Sequence, residues 1–102
     1  MNRREIILKE IEDQPENPMN YYLLAIEDRR DNNIESCISV LNRLIDDFPD
    51  YHPSYYVLAE IYYQLDLIEE GTRIANLGIK KAKDLQLSKV LSELQQLKLL
   101  ND

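Results

Sequence analysis

Tyr21-Tyr22-Leu23-Leu24-Ala25 recurs as Tyr55-Tyr56-Val57-Leu58-Ala59, a displacement of 34 residues. The same step carries Ile34-Glu35 onto Ile68-Glu69, Asn42 onto Asn76 and Ile45 onto Ile79, and it lays Cys37 over Gly71, both small. Run backwards, it places Pro49 over Pro15 and Ile45 over Ile11, so the first residues read as the second half of an earlier unit. One fixed period of this length is the mark of a repeat architecture, in which each supersecondary unit buries its apolar face against the next.

Within each unit the apolar residues follow helical spacing. Tyr21, Leu24 and Ala25, then Ile38, Leu41, Leu44 and Ile45, stand three and four apart, as do Tyr55, Leu58, Ala59 and Tyr62, then Ile68, Ile74, Ala75 and Ile79. Asp31-Asn32-Asn33 and the region of Asp66 supply the turn inside each pair, Phe48-Pro49-Asp50 closes the first pair and Lys83-Asp84 the second. The pattern predicts helices at 3–13, 19–31, 34–47, 53–65, 68–83 and 87–100. Small residues run along the last long helix as Gly71, Ala75, Gly78 and Ala82, on one face, so another helix comes close there. Leu87, Val90, Leu91, Leu94 and Leu97 form the apolar stripe expected to cover it, as terminal helices of repeat arrays do.

A helix-turn-helix unit repeating every 34 residues resembles the tetratricopeptide repeat (TPR) family, whose pattern has an aromatic, then Leu and a small residue, a later aromatic, a small residue in the second helix and a closing proline. Unit one offers Tyr21, Leu24, Ala25, Cys37 and Pro49; unit two offers Tyr55, Leu58, Ala59, Tyr62 and Gly71. The match covers about residues 18 to 83 and departs where Asp28 stands for the later aromatic and Lys83 for the second closing proline. The resemblance implies an all-α fold: tandem helix-turn-helix repeats in a short right-handed solenoid with a C-terminal capping helix. The expected layout is a single domain over 1–102, with a half-repeat helix at 3–15, repeat 1 at 18–49, repeat 2 at 52–83 and the cap at 87–100.

The resemblance also implies protein binding, with the first helices of successive units lining a concave groove that takes a peptide or helical segment. Spacing from the Tyr21/Leu24/Ala25 stripe assigns to that groove Met19, Tyr22, Ile26, Arg29 and Arg30, then Pro53, Tyr56, Glu60, Tyr63 and Gln64. TPR domains that clamp a chaperone's C-terminal carboxylate carry Lys and Asn where this chain has Tyr22 and Ile26, so that mode is not expected. The alternative role is self-association through the Leu-rich C-terminal helix, where Leu97, Leu99 and Leu100 would form the contact surface and the chain would be a homo-oligomer.

The remaining chemistry is narrow. At 102 residues with a net charge of −7, the chain suits one modest core and lacks the clustered cations that phosphate backbones require, so nucleic acid is not an expected partner. Charge is uneven: residues 27–70 carry three basic against eleven acidic groups, and residues 71–102 six against three. Only Ile6, Ile7 and Leu8 interrupt the polar N-terminal segment, too few for a signal core or membrane span, and a cytoplasmic location without membrane association is expected. One cysteine, Cys37, and one histidine, His52, cannot close a zinc site. Glu27-Asp28, Asp46-Asp47 and Glu69-Glu70 read as surface charge, and neither a glycine-rich phosphate loop nor a Gly-x-Ser-x-Gly elbow occurs. No enzymatic activity, cofactor or metal is expected.

Overall fold

The computed structural model describes all 102 residues as six helices: α1 (Arg3–Asp13), α2 (Pro18–Arg30), α3 (Ile34–Asp47), α4 (Pro53–Gln64), α5 (Ile68–Asp84) and α6 (Ser88–Asn101). The boundaries lie within one residue of those the periodicity predicts. Packing divides the chain into two compact units, Met1–Phe48 and Pro49–Asp102, parted at the proline that closes repeat 1.

In the first unit α2 packs against both α1 and α3. Its start is fixed by Asn17, whose side chain accepts the Met19 amide at 3.1 Å, with Pro18 opening the helix, where a missing N–H costs nothing. Ala25, Cys37 and Leu41 are wholly buried, as the small-residue reading requires. In the second unit α5 lies between α4 and α6, and Leu58, Ala59, Ile74, Ala75 and Leu94 form its centre.

Each pair turns through the same device. Asn32, Asp66 and Gln86 adopt left-handed backbone with φ of 61°, 62° and 57°. The next amide in each case reaches back to a carbonyl in the last helical turn: Asn33 N to Asp28 O at 2.7 Å, Leu67 N to Tyr62 O at 2.9 Å and Leu87 N to Ala82 O at 2.8 Å. This is the Schellman termination, here without glycine. Asn and Asp tolerate left-handed backbone through their short polar side chains, which explains why the turn signal sits on these residues.

A second repeated feature concerns the tyrosines that begin each motif. The Tyr21 hydroxyl donates to Pro15 O at 2.7 Å and the Tyr55 hydroxyl to Pro49 O at 2.6 Å. Donor and acceptor are both one period apart, so the repeat preserves the bond as well as the residues. Burial pushes the Tyr55 hydroxyl's pKa up, opposed by the positive charge of Lys81.

The small-residue stripe of α5 is covered by two helices, not one. A Cβ at Gly71 would lie 2.7 Å from Cδ1 of Tyr63 on α4; one at Gly78 would lie 2.7 Å from the Tyr55 Cβ on α4 and 2.8 Å from Leu94 Cδ1 on α6. The expectation that the C-terminal helix covers the stripe therefore holds at Gly78 but not at Gly71, where the α4 ring occupies the space. Replacing Gly78 with Ala improves helix propensity by about 1 kcal/mol, yet the new methyl meets a backbone-anchored Cβ that cannot swing aside. Overpacking, at about 1 to 3 kcal/mol, should win. Gly78→Ala is expected to lower the unfolding free energy in urea by about 1 kcal/mol net, and a more stable variant would show that α4 and α6 can part at this point.

Candidate interaction surfaces

The structure bears on the sequence-assigned groove residues one unit at a time. On α2, Met19 is 51% exposed, Tyr22, Ile26 and Arg29 are half-buried, and Arg30 is exposed beside Glu27 at 3.7 Å. These five share a face by the spacing of three and four residues. On α4, Pro53, Tyr56 and Glu60 are half-buried and Gln64 is exposed. Tyr63 departs from the expectation. It is 5% exposed, its ring fills the space over Gly71, and its hydroxyl shares a hydrogen bond with Thr72 at 2.8 Å. Tyr63 is thus a packing residue between α4 and α5, because a glycine on the facing helix leaves room for a whole ring.

Leu97, grouped with the C-terminal contact residues, is likewise buried at 8%, whereas Leu99 and Leu100 are 75% and 76% exposed. The buried register of α6 runs through Leu94 and Leu97, and the two later leucines fall off it.

The acidic pair Glu27-Asp28 is not surface charge. Asp28 is wholly buried, with one carboxylate oxygen accepting from the Arg4 guanidinium at 2.5 Å and the other from the Ser36 hydroxyl at 2.7 Å. Glu27 is 8% exposed and accepts from Arg3 at 3.2 Å. The hydrogen bond from Arg4 to Asp28, with their mutual attraction, pushes the Arg4 pKa further up. Two arginines of α1 therefore clamp the acidic end of α2, and Ser36 ties the same carboxylate to α3. Sequence reading missed this because the partners lie 24 residues apart; the signal available was Arg3-Arg4 as the sole basic doublet ahead of an acidic doublet.

Cys37 offers no reactive site. Burial, then the negative charge of Asp28, pushes its thiol up to about 11, so little thiolate exists near neutral pH. No group of three or more His, Cys, Asp or Glu side chains is placed to hold a metal ion. No helix is long and apolar enough to cross a membrane.

Solved structures place this architecture. A tetratricopeptide repeat domain protein from Salinibacter ruber, determined in solution by NMR, is 33% identical, with 86% of this chain aligned to 89% of that one at a TM-score of 0.82. The chain belongs to the tetratricopeptide repeat family. A crystal structure of a TPR domain protein from the same organism is 32% identical over 81% of this chain and 93% of that one, at a TM-score of 0.76. No family model matches the sequence, nor does any curated protein. TPR membership gives the chain the general role of a protein-interaction module, on a fold used for binding and not for catalysis.

Within the TPR frame the buried carboxylate gains a specific meaning. Asp28 and Tyr62 are one period apart, at the position of the later aromatic. Repeat 2 fills it with a ring that is 8% exposed; repeat 1 fills it with an ion pair supplied by the preceding half-repeat. Removing Arg4 leaves a carboxylate in an apolar site with one neutral donor, whereas removing Asp28 leaves a guanidinium whose side chain is already 40% exposed. Arg4→Met should therefore cost about 2 kcal/mol, less than the 3–5 kcal/mol of a fully buried pair. Adding the near-isosteric Asp28→Leu should recover most of that loss. Urea unfolding of the single and double variants checks this, and a double variant no more stable than Arg4→Met alone would remove the orphaned carboxylate as the cause.

Proposed function

We propose that this TPR module binds an extended or helical protein segment through the α2 face around Tyr22 and the α4 face around Tyr56. The observation that carries the reading is the equivalence of these two tyrosines. They occupy the same repeat position and both remain half-exposed, while the tyrosines beside them, Tyr21 and Tyr55, are fixed by hydrogen bonds to Pro15 and Pro49. A position that repeats an aromatic without burying it supplies a rigid, amphipathic anchor of the kind that dominates protein interfaces.

Around Tyr22, Met19 and Ile26 add apolar surface, and Arg29 and Arg30 end the helix with positive charge. Tyr56 stands among Pro53, Glu60 and Gln64. The first face suits a segment with an apolar side chain followed by an acidic one, and the second is nearly neutral and polar. A lysine and asparagine pair for clamping a terminal carboxylate is missing at Tyr22 and Ile26, so affinity here comes from side-chain packing.

Peptides selected from a displayed random library against the full chain provide the probe. Tyr22→Ala and Tyr56→Ala should each weaken the selected peptides' binding by about 2 kcal/mol, roughly thirtyfold, with helical circular dichroism unchanged. Peptides that bind both folded variants as tightly as the parent would overturn the assignment of these faces.

A further inference from the structure

The first unit contains an open cleft of about 280 Å³ along α2, between residues of α1 and α3. Leu44 lies at its buried floor, Leu8, Ile11, Leu24 and Val40 form its walls, and Phe48, tilted against Tyr21 at a ring-centroid distance of 6.0 Å, forms one end. Arg43 and Asp47 are the polar residues at its edge. The space falls at the lower limit of small-molecule sites, about 300 to 1,000 Å³, and it is open along one side. Such a shape suits side chains projected from a partner helix.

The same chain carries matching side chains. Leu99 and Leu100 are adjacent on the last turn of α6 and, Met1 aside, are the most exposed large apolar residues in the molecule. Two neighbouring leucines left in water at a helix end are the kind of patch that marks a contact surface. Charge agrees with the fit. The ends of α1 and α3 that border the cleft bring exposed Glu12, Asp13, Asp46 and Asp47, while residues 71–102 carry six basic against three acidic groups, Lys98 beside the leucines among them.

From this complementarity we propose that the cleft of the first unit receives the Leu99-Leu100 end of α6 from a second copy of the chain. Donor and acceptor are different surfaces of one molecule, so the contact is heterologous, joining copies head to tail. Two leucines and a few rim charges fall well short of the roughly 1,000 Å² or more that a permanent interface buries, so the association is weak and reversible. It is independent of the Tyr22 and Tyr56 faces and stands or falls separately from them.

Sedimentation equilibrium of the full chain tests it. In low salt the weight-average mass should rise above the monomer as concentration increases from about 10 μM to 1 mM, and about 0.5 M salt, which screens the rim charges, should weaken the association severalfold. Leu99→Glu/Leu100→Glu removes the donor, and Leu8→Glu, at a position already 44% exposed, closes the acceptor without touching the floor. Each variant alone should remain monomeric, and circular dichroism should show both to be folded. An equimolar mixture of the two should form a one-to-one heterodimer, because each supplies the surface the other has lost. A parent that stays monomeric throughout overturns the proposal. So does a mixture that fails to associate, which would mean that leucine meets leucine, and so does an association that Leu8→Glu leaves intact.

Discussion

The closeness with which α5 meets its neighbours sets the rest of the second unit. With no side chain at Gly71 and Gly78, the ring of Tyr63 lies on one and the Cβ of Tyr55 together with Leu94 on the other. A ring seated in a glycine gap fixes the spacing of two helices to within a few tenths of an ångström, because a single added methyl has nowhere to go. Two glycines in a helix each lose about 1 kcal/mol relative to alanine, and the packing they permit offsets that loss. Tyr55 is then held at both ends, by Gly78 at its Cβ and by Pro49 at its hydroxyl, which leaves Tyr56 as the outward neighbour.

The first unit solves the same problem with different chemistry. Ala25 and Cys37 take the small positions, but where repeat 2 has the Tyr62 ring, repeat 1 has a buried carboxylate. An aromatic fills its site through apolar area alone; Asp28 needs Arg4 from α1 and Ser36 from α3 to be tolerable there. The ion pair therefore makes the leading half-repeat part of the unit. In a repeat array each element is stabilised mainly by its neighbours, and here that dependence takes the form of one named charge pair.

Much of this was legible in the sequence, for a physical reason. The 34-residue step, the three-and-four spacing and the turn residues are local signals, and local signals determine where helices begin and end. The small residues at 25, 37, 59, 71 and 78 announced close packing by their size. What escaped was which helix fills each gap: Gly71 looked covered by α6 when a ring four residues after Ala59 reaches it first, and Tyr63 consequently moved from the candidate binding face into the core. Asp28 escaped for the same reason, since an adjacent acidic pair looks solvated until a partner from another helix is known. The exposed leucines of α6 were separable from Leu97 only once the buried register of that helix was fixed.

The central claim is that close helix approach at α5 holds the second unit together, and native-state hydrogen exchange addresses it residue by residue. Amides from Ile74 to Ala82 and from Leu58 to Tyr62 should be the slowest in that unit, sharing one exchange free energy equal to that of unfolding by urea, while those of Leu99 to Asn101 exchange far faster from the frayed end of α6. Amides flanking Gly78 that exchange as readily as the α6 terminus would contradict the account, because the contact on which the unit depends would then open without unfolding it.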